Sequence, residues 1–134
     1  MREALRAVSP TIVAEDIAVP RARLAELWKG ARELGERFGV RVLSFGHAGD
    51  GNLHIDVLKD DLSDDRWNTA MEGFIPALFE LAVKLGGTIT AEHGIGVLKK
   101  PYLPICFGET ELSLMAGIKR VFDPNGILNP GKAI

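Results

Sequence analysis

The sequence predicts an α+β domain: a ferredoxin-like β-α-β-β-α-β antiparallel sheet with helices on one face, then a C-terminal helix and an extended tail. Three observations predict it. Two stretches with helical apolar spacing each sit between short β-branched runs. A glycine-rich turn joins the middle two of those runs with no helix between them. After the fourth run the chain becomes proline-broken and ends on one more helical stretch.

In chain order, Leu5 and Val8 suit a short helix end that Pro10 stops. Thr11 to Val19 is β-branched and lies between Pro10 and Pro20, so it reads as a strand. Pro20 suits the start of a helix. Leu24, Leu27, Trp28, Ala31, Leu34 and Phe38 then mark one helical face, and Gly39 stops it. Val40 to Phe45 and Leu53 to Leu58 are the second and third strands, joined by residues that tolerate positive φ. Ser63 or Asp64 can cap the next helix, whose core face runs from Trp67 through Phe74 and Leu78 to Leu85. Pro76 inside it predicts a kink or a division into two pieces. Gly86 and Gly87 end it, and Thr88 to Ala91 is the fourth strand. The last helix spans Thr110 to Phe122 with Met115, Ile118 and Phe122 inward, before a turn at Asp123–Gly126. Trp28 and Trp67 are both expected in the core.

A chain of 134 residues is read as one domain, with residues 11–93 as the ferredoxin-like unit and 97–134 as extension and tail. The composition, 46% hydrophobic and 25% charged, is that of a soluble globular protein. A net charge of -2 with interspersed signs gives no footprint for nucleic acid or a membrane surface. Cys106 is alone, which excludes an intrachain disulfide and a cysteine-based zinc site. No run approaches the ~20 apolar residues of a membrane span, and the start lacks a signal-peptide core. A reducing cytoplasm fits.

The chemistry concentrates in Gly46-His47-Ala48-Gly49-Asp50-Gly51-Asn52-Leu53-His54 and in Glu92-His93-Gly94-Ile95-Gly96. The expected strand order is 4-1-3-2, with strands 1 and 3 running one way and strands 2 and 4 the other. The end of strand 2 (His47), the start of strand 3 (His54) and the end of strand 4 (Glu92) then share one sheet edge. Paired directly, His47 and His54 would have Cβ atoms ~5 Å apart, close enough to reach one metal at ~2.0–2.1 Å. Glu92 would start two strands away, roughly 10 Å, and curl inward at Gly94 and Gly96. His47, His54 and Glu92 are therefore the expected ligands of a divalent metal with open positions for water or substrate. Zinc is the first expectation, with manganese and iron as alternatives. On a regular strand His93 faces away from Glu92; off strand geometry it reaches the same cleft as a general base. The glycine turn as a phosphate cradle is the weaker reading, because its spacing matches neither GxGxxG nor GxxxxGK[ST].

GHAGDGNLH at 46–54, AEHGIG at 91–96 and FDPNGILNPGK at 122–132 resemble the C-terminal segment of FAD-linked oxidases of the vanillyl-alcohol oxidase superfamily. Glycolate oxidase flavin subunits and D-lactate and D-2-hydroxyglutarate dehydrogenases are the types most similar, and EDIAVPRARL at 15–24 also looks like that segment. The resemblance implies oxidation of a 2-hydroxy acid. A metal held by His47, His54 and Glu92 binds the substrate oxygens, His93 takes the hydroxyl proton, and hydride passes to the flavin. It places Asn129 near the FAD and Asp56 near the substrate, where some relatives have Asn. Position 14 is Ala where relatives carry a basic residue.

The family's FAD-binding domain has no counterpart here. The implied state is a substrate-side domain, inactive alone, that partners an FAD-binding domain or subunit and can self-associate through the exposed docking surface. Two other readings stand beside it: a non-catalytic ferredoxin-like module for small-ligand binding or oligomerisation, and a stand-alone iron oxygenase.

Overall fold

The computed structural model describes residues 2–134, with side chains from Leu5 on. The chain forms two compact units, Met1–Ala91 and Glu92–Ile134.

In the first unit, helix α1 (Arg2–Val8) stops just ahead of Pro10. Buried Ser9 comes next: its hydroxyl donates to the Thr11 carbonyl at 3.2 Å and accepts from the Asp60 N–H at 3.0 Å. That pair ties the start of strand β1 (Ile12–Ala18) to the chain just past strand β3 (Asn52–Leu58). Helix α2 (Leu24–Phe38) buries Leu27 and Ala31 and ends at Gly39 in the left-handed region, φ 68°. Strand β2 (Arg41–His47) is next, then a 3-10 turn at Ala48–Asp50 that leads into β3. Helix α3 (Asp64–Lys84) starts where the Ser63 hydroxyl accepts the Arg66 N–H at 3.4 Å, which satisfies one open donor of the first turn. It is one helix through Pro76, not two pieces: a proline removes a single backbone bond, while Phe74, Ile75, Leu78 and Phe79 keep both sides buried. Helix α2 lies against β2, β3 and α3, with Phe38 and Phe74 edge to face at 6.2 Å.

The sheet has three strands in the order β1-β3-β2. Strand β3 runs antiparallel to both neighbours. This corrects the expected directions: strands 1 and 2, not 1 and 3, run the same way, because α2 carries the chain back to begin β2 at the same end as β1. The expected order of the first three strands, 1-3-2, is observed, but a full ferredoxin-like topology is not. The expected fourth strand is a single antiparallel bridge, Thr88 to Ala18. Gly87 packs with its Cα so close to β1 that a Cβ there would lie 2.2 Å from the Ala18 carbonyl oxygen. Past the bridge, side-chain bonds replace the ladder.

Trp28 departs from expectation as well. It is exposed, with the Arg32 guanidinium 5.0 Å from its ring centroid. Leu27 and Ala31 hold the centre of the buried face, and one residue on is ~100° of helical rotation away from it. Trp67 is buried, as expected.

In the second unit a 3-10 turn at Lys100–Tyr102 leads to α4 (Leu103–Cys106) and α5 (Glu109–Phe122). Buried Asp123 organises the turn after α5: its carboxylate accepts the N–H groups of Ile127 and Leu128, each at 2.9 Å, and pairs with Lys119. Lys119 also donates to the Leu128 carbonyl at 2.7 Å. This polar pair stands on the same side of α5 as half-buried Leu112, Met115 and Ala116. Ile118 and Phe122 are consequently exposed, not inward as the sequence suggested. Among the described residues, no helix is long and apolar enough to cross a membrane.

Candidate metal centre

Alternation along β3 sorts its side chains to two faces. Leu53, Ile55 and Val57 supply the apolar core, and Asn52, His54 and Asp56 stand on the opposite face, all of them buried. The register places His54 between Asp16 of β1 and Phe45 of β2. His54 Nδ1 is 3.6 Å from Asp16 Oδ1, and its ring centroid is 5.1 Å from that of Phe45.

His47 pairs in register with Asn52, not with His54, which corrects the expected direct pairing. The two histidines are diagonal neighbours on one face, with ring centroids 5.5 Å apart and planes at 84°. The turn between them is fixed by close backbone approach. Gly51 has φ 73°, its carbonyl accepts the Val19 N–H at 2.9 Å, and a Cβ on it would lie 2.1 Å from the Val19 oxygen. A Cβ on Gly46 would lie 2.3 Å from the Asn52 oxygen. Both positions require glycine.

Asp16 has a second role. Its Oδ2 accepts the Ala91 N–H at 2.9 Å and the Thr90 hydroxyl at 3.4 Å. The segment after α3 therefore touches β1 at Ala18 and runs back to Asp16, two residues inside the strand end. Its approach is over the sheet face. The expectation that strand 4 ends at the same edge as His47 is overturned by the strand directions: an antiparallel partner of β1 begins at that edge and leaves it.

In the second unit Glu92 Oε1 and His93 Nε2 are 3.8 Å apart. The backbone there is not a strand, and Gly94 and Gly96 take positive φ of 75° and 58°. Asn129 is exposed in the tail with φ 48°, and its carbonyl accepts the Lys132 N–H at 3.2 Å. Asp56 sits one alternation beyond His54 on β3, opposite Ala14 and Leu43.

Asp16 and His54 in the first unit, and Glu92 and His93 in the second, are residue types that can hold a metal ion. Within the first unit, a buried imidazole and a carboxylate at 3.6 Å, beyond hydrogen-bond length, with a second imidazole beside them, suit a divalent cation. Sequence reasoning missed Asp16. Its signal was two acids, Glu15 and Asp16, inside an otherwise apolar strand. A surface depression of about 440 Å³ lined by Arg37, Phe38, Asp65 and Arg66 contains none of these groups.

A family model described as "FAD linked oxidases, C-terminal domain" matches residues 1–133. Glycolate oxidase subunit GlcD of Bacillus subtilis is 40% identical over 129 residues, 96% of this chain and 27% of its own length. A D-lactate dehydrogenase of Archaeoglobus fulgidus is 44% identical over 119 residues, 89% of this chain and 26% of the relative. A D-2-hydroxyglutarate dehydrogenase of Stutzerimonas stutzeri is 43% identical over 101 residues, 74% of this chain and 22% of the relative. The chain thus spans about a quarter of the length of the curated relatives it matches.

Proposed function

The chain belongs to the family of FAD-linked oxidase C-terminal domains, and from that premise we propose that it is the substrate-side domain of an FAD-dependent 2-hydroxy-acid oxidoreductase. The buried Asp16–His54 pair, with His47 beside it, is the observation that carries the reading. Such a pair suits a cation, on a sheet face that also carries buried Asn52 and Asp56. The relatives named for glycolate, D-lactate and D-2-hydroxyglutarate support a 2-hydroxy-acid substrate class.

His47, His54 and Glu92 would hold a divalent metal, zinc before manganese or iron. Asp16 adds a carboxylate at His54 and fixes the chain one residue before Glu92 by binding the Ala91 N–H. When bound, the metal supplies Lewis acidity toward the substrate oxygens, and the flavin of the partner domain supplies the acceptor for the C2 hydride. His93, adjoining Glu92, takes the hydroxyl proton, so a 2-hydroxy acid becomes a 2-oxo acid. Asp56 contributes to the substrate side, and Asn129 to the flavin side. The chain is a single domain of that larger enzyme and does not oxidise substrate alone. A reducing cytoplasm fits its single Cys106.

The test is zinc titration of the purified chain by calorimetry. One equivalent should bind, and His47→Ala, His54→Ala and Glu92→Ala should each weaken it at least tenfold. Zinc binding left unchanged by all three substitutions would sink the proposal. Replacing the matched stretch of the Bacillus subtilis GlcD protein with this chain then asks for the activity: its flavin should bleach anaerobically on glycolate or D-lactate, and His93→Ala should slow bleaching at least a hundredfold.

A further inference from the structure

Glu92 and His93 stand on a glycine-rich span that forms neither helix nor strand. Gly94 and Gly96 sit at φ 75° and 58°, and a Cβ on either would meet no surrounding atom within 4 Å. Glycine serves there for its backbone conformation, not for close packing. Such a span loses much conformational entropy when it is ordered, so other groups must hold it. The chain just ahead is held by Asp16, whose carboxylate accepts the Ala91 N–H at 2.9 Å. The far end is held inside the second unit. There the Gly96 carbonyl accepts the Ala133 N–H at 2.7 Å, and the Ile95 carbonyl accepts the Lys99 N–H at 3.2 Å. The tail that supplies Ala133 is itself tightly wound. Asn129, Gly131 and Ala133 take left-handed φ of 48°, 74° and 61°. Asparagine tolerates that region and glycine is free in it, but the Cβ of an alanine crowds the following carbonyl. A strained alanine persists where its surroundings fix it, and such strain gathers at functional segments. The bonds that fix Ala133 are its own N–H on Gly96 and the Ile134 N–H on the Lys132 carbonyl at 2.8 Å.

We propose that Ala133 is a positioning residue: its N–H, bound to the Gly96 carbonyl, holds the loop of Glu92 and His93 in one conformation. The inference rests on the functional reading above for what those two side chains do, and adds the element that orders them. Glu92 and His93 lie in the chain between the anchor at Ala91 and the anchor at Gly96. With both anchors made, a ligand and a base on a glycine loop are preorganised, and binding does not have to order them. The tail acts through its backbone. Residue 133 must offer an N–H at positive φ, and its side chain is secondary.

The test compares three metal-free proteins by backbone NMR relaxation. They are the parent, a chain shortened to end at Lys132, which lacks the donor, and Ala133→Gly, which keeps the N–H and takes positive φ without strain. Order parameters at His93, Gly94 and Ile95 should fall from about 0.85 to below about 0.6 on shortening and stay high in Ala133→Gly. The zinc dissociation constant should rise at least tenfold on shortening only. The Ile127 and Leu128 amides, held by Asp123, should stay protected in all three. An ordered loop in the shortened chain overturns the proposal, as does zinc affinity that falls in Glu92→Ala but not on shortening. So does a loop loosened as far by Ala133→Gly. Loss of protection at Ile127 and Leu128 along with the loop overturns it too, because the tail then supports the unit as a whole. A loop that loosens on shortening, in a chain whose zinc affinity ignores Glu92→Ala, refutes the metal reading alone.

Discussion

Asp16 and His54 face each other across the β1–β3 register with 3.6 Å between carboxylate oxygen and ring nitrogen, and both are buried. The other oxygen of the same carboxylate holds the Ala91 N–H. One side chain thus serves a candidate ligand and the backbone that leads to Glu92, so its replacement separates two effects. Asp16→Asn keeps the size and an acceptor for Ala91 but loses the charge. Zinc affinity should fall ~10–100-fold, as for groups that support metal ligands, with little loss of stability. Asp16→Ala should also destabilise by about 1–3 kcal/mol, since the Ala91 N–H loses its acceptor. Calorimetry and urea melts of the two variants check the difference; equal zinc affinity in wild type and Asp16→Asn would remove Asp16 from the site.

Metal binding should weaken in acid. Imidazole and carboxylate ligands bind in their deprotonated forms, so zinc uptake releases protons. Titrations in two buffers of different ionisation enthalpy measure the number released. Proton release that is the same in His47→Ala as in the parent would show that His47 is not a ligand.

The hairpin glycines should resist substitution. Gly51→Ala puts a methyl group 2.1 Å from the Val19 oxygen at a positive φ. Left-handed strain and overpacking together should cost at least about 2 kcal/mol. Gly49→Ala, whose Cβ would meet open space, should be near neutral. Thermal melts of the two, side by side, decide whether close packing or mere loop flexibility demands glycine here.

The Asp123 turn should loosen at low pH. Its hydrogen bond with Lys119 holds the carboxyl below its ordinary value of 3.8, with the Leu128 and Ile127 N–H groups and the Lys119 charge assisting and burial opposing. A group depressed on folding contributes stability that is full above its unfolded value and is lost as pH falls through its folded value. The Ile127 and Leu128 amides should therefore stay protected near pH 5 and exchange faster only below the ordinary carboxylate range. In Asp123→Asn that pH step should vanish. Amide exchange by NMR from pH 5 to pH 2 reads both.

The local elements were largely legible in the sequence. Helical spacing from Leu24 to Phe38 and the cap at Ser63 each have a short-range physical cause. Strand direction was misread although its signal was present: a helix from Leu24 to Phe38 returns the chain to the start of β1 and so makes strands 1 and 2 parallel. That one error put the expected approach of Ala91 at the sheet edge instead of at Asp16 on its face. The fourth strand was overread because Thr88-Ile89-Thr90 has β propensity, yet past the bridge at Thr88 its Thr90 hydroxyl and Ala91 N–H bond the Asp16 side chain instead of a ladder. His47 and His54 were found because the turn residues between them are distinctive. Asp16 escaped because, of two adjacent carboxylates in a strand, only the register tells which one is turned inward. On α5, Met115, Ile118 and Phe122 fit one helical arc, but Lys119 and Asp123 decide which side turns in.

The contact of Gly51 with the Val19 carbonyl leaves the histidine hairpin no slack. An inserted residue would have to break the register between His47 and Asn52 or push β1 away. Sequence change on this sheet face is therefore accommodated away from the Gly51 contact. The most permissive position on the same sheet face is Ala14, small, exposed and opposite Asp56. A longer side chain has room at that position, whereas the histidine hairpin admits no change of length.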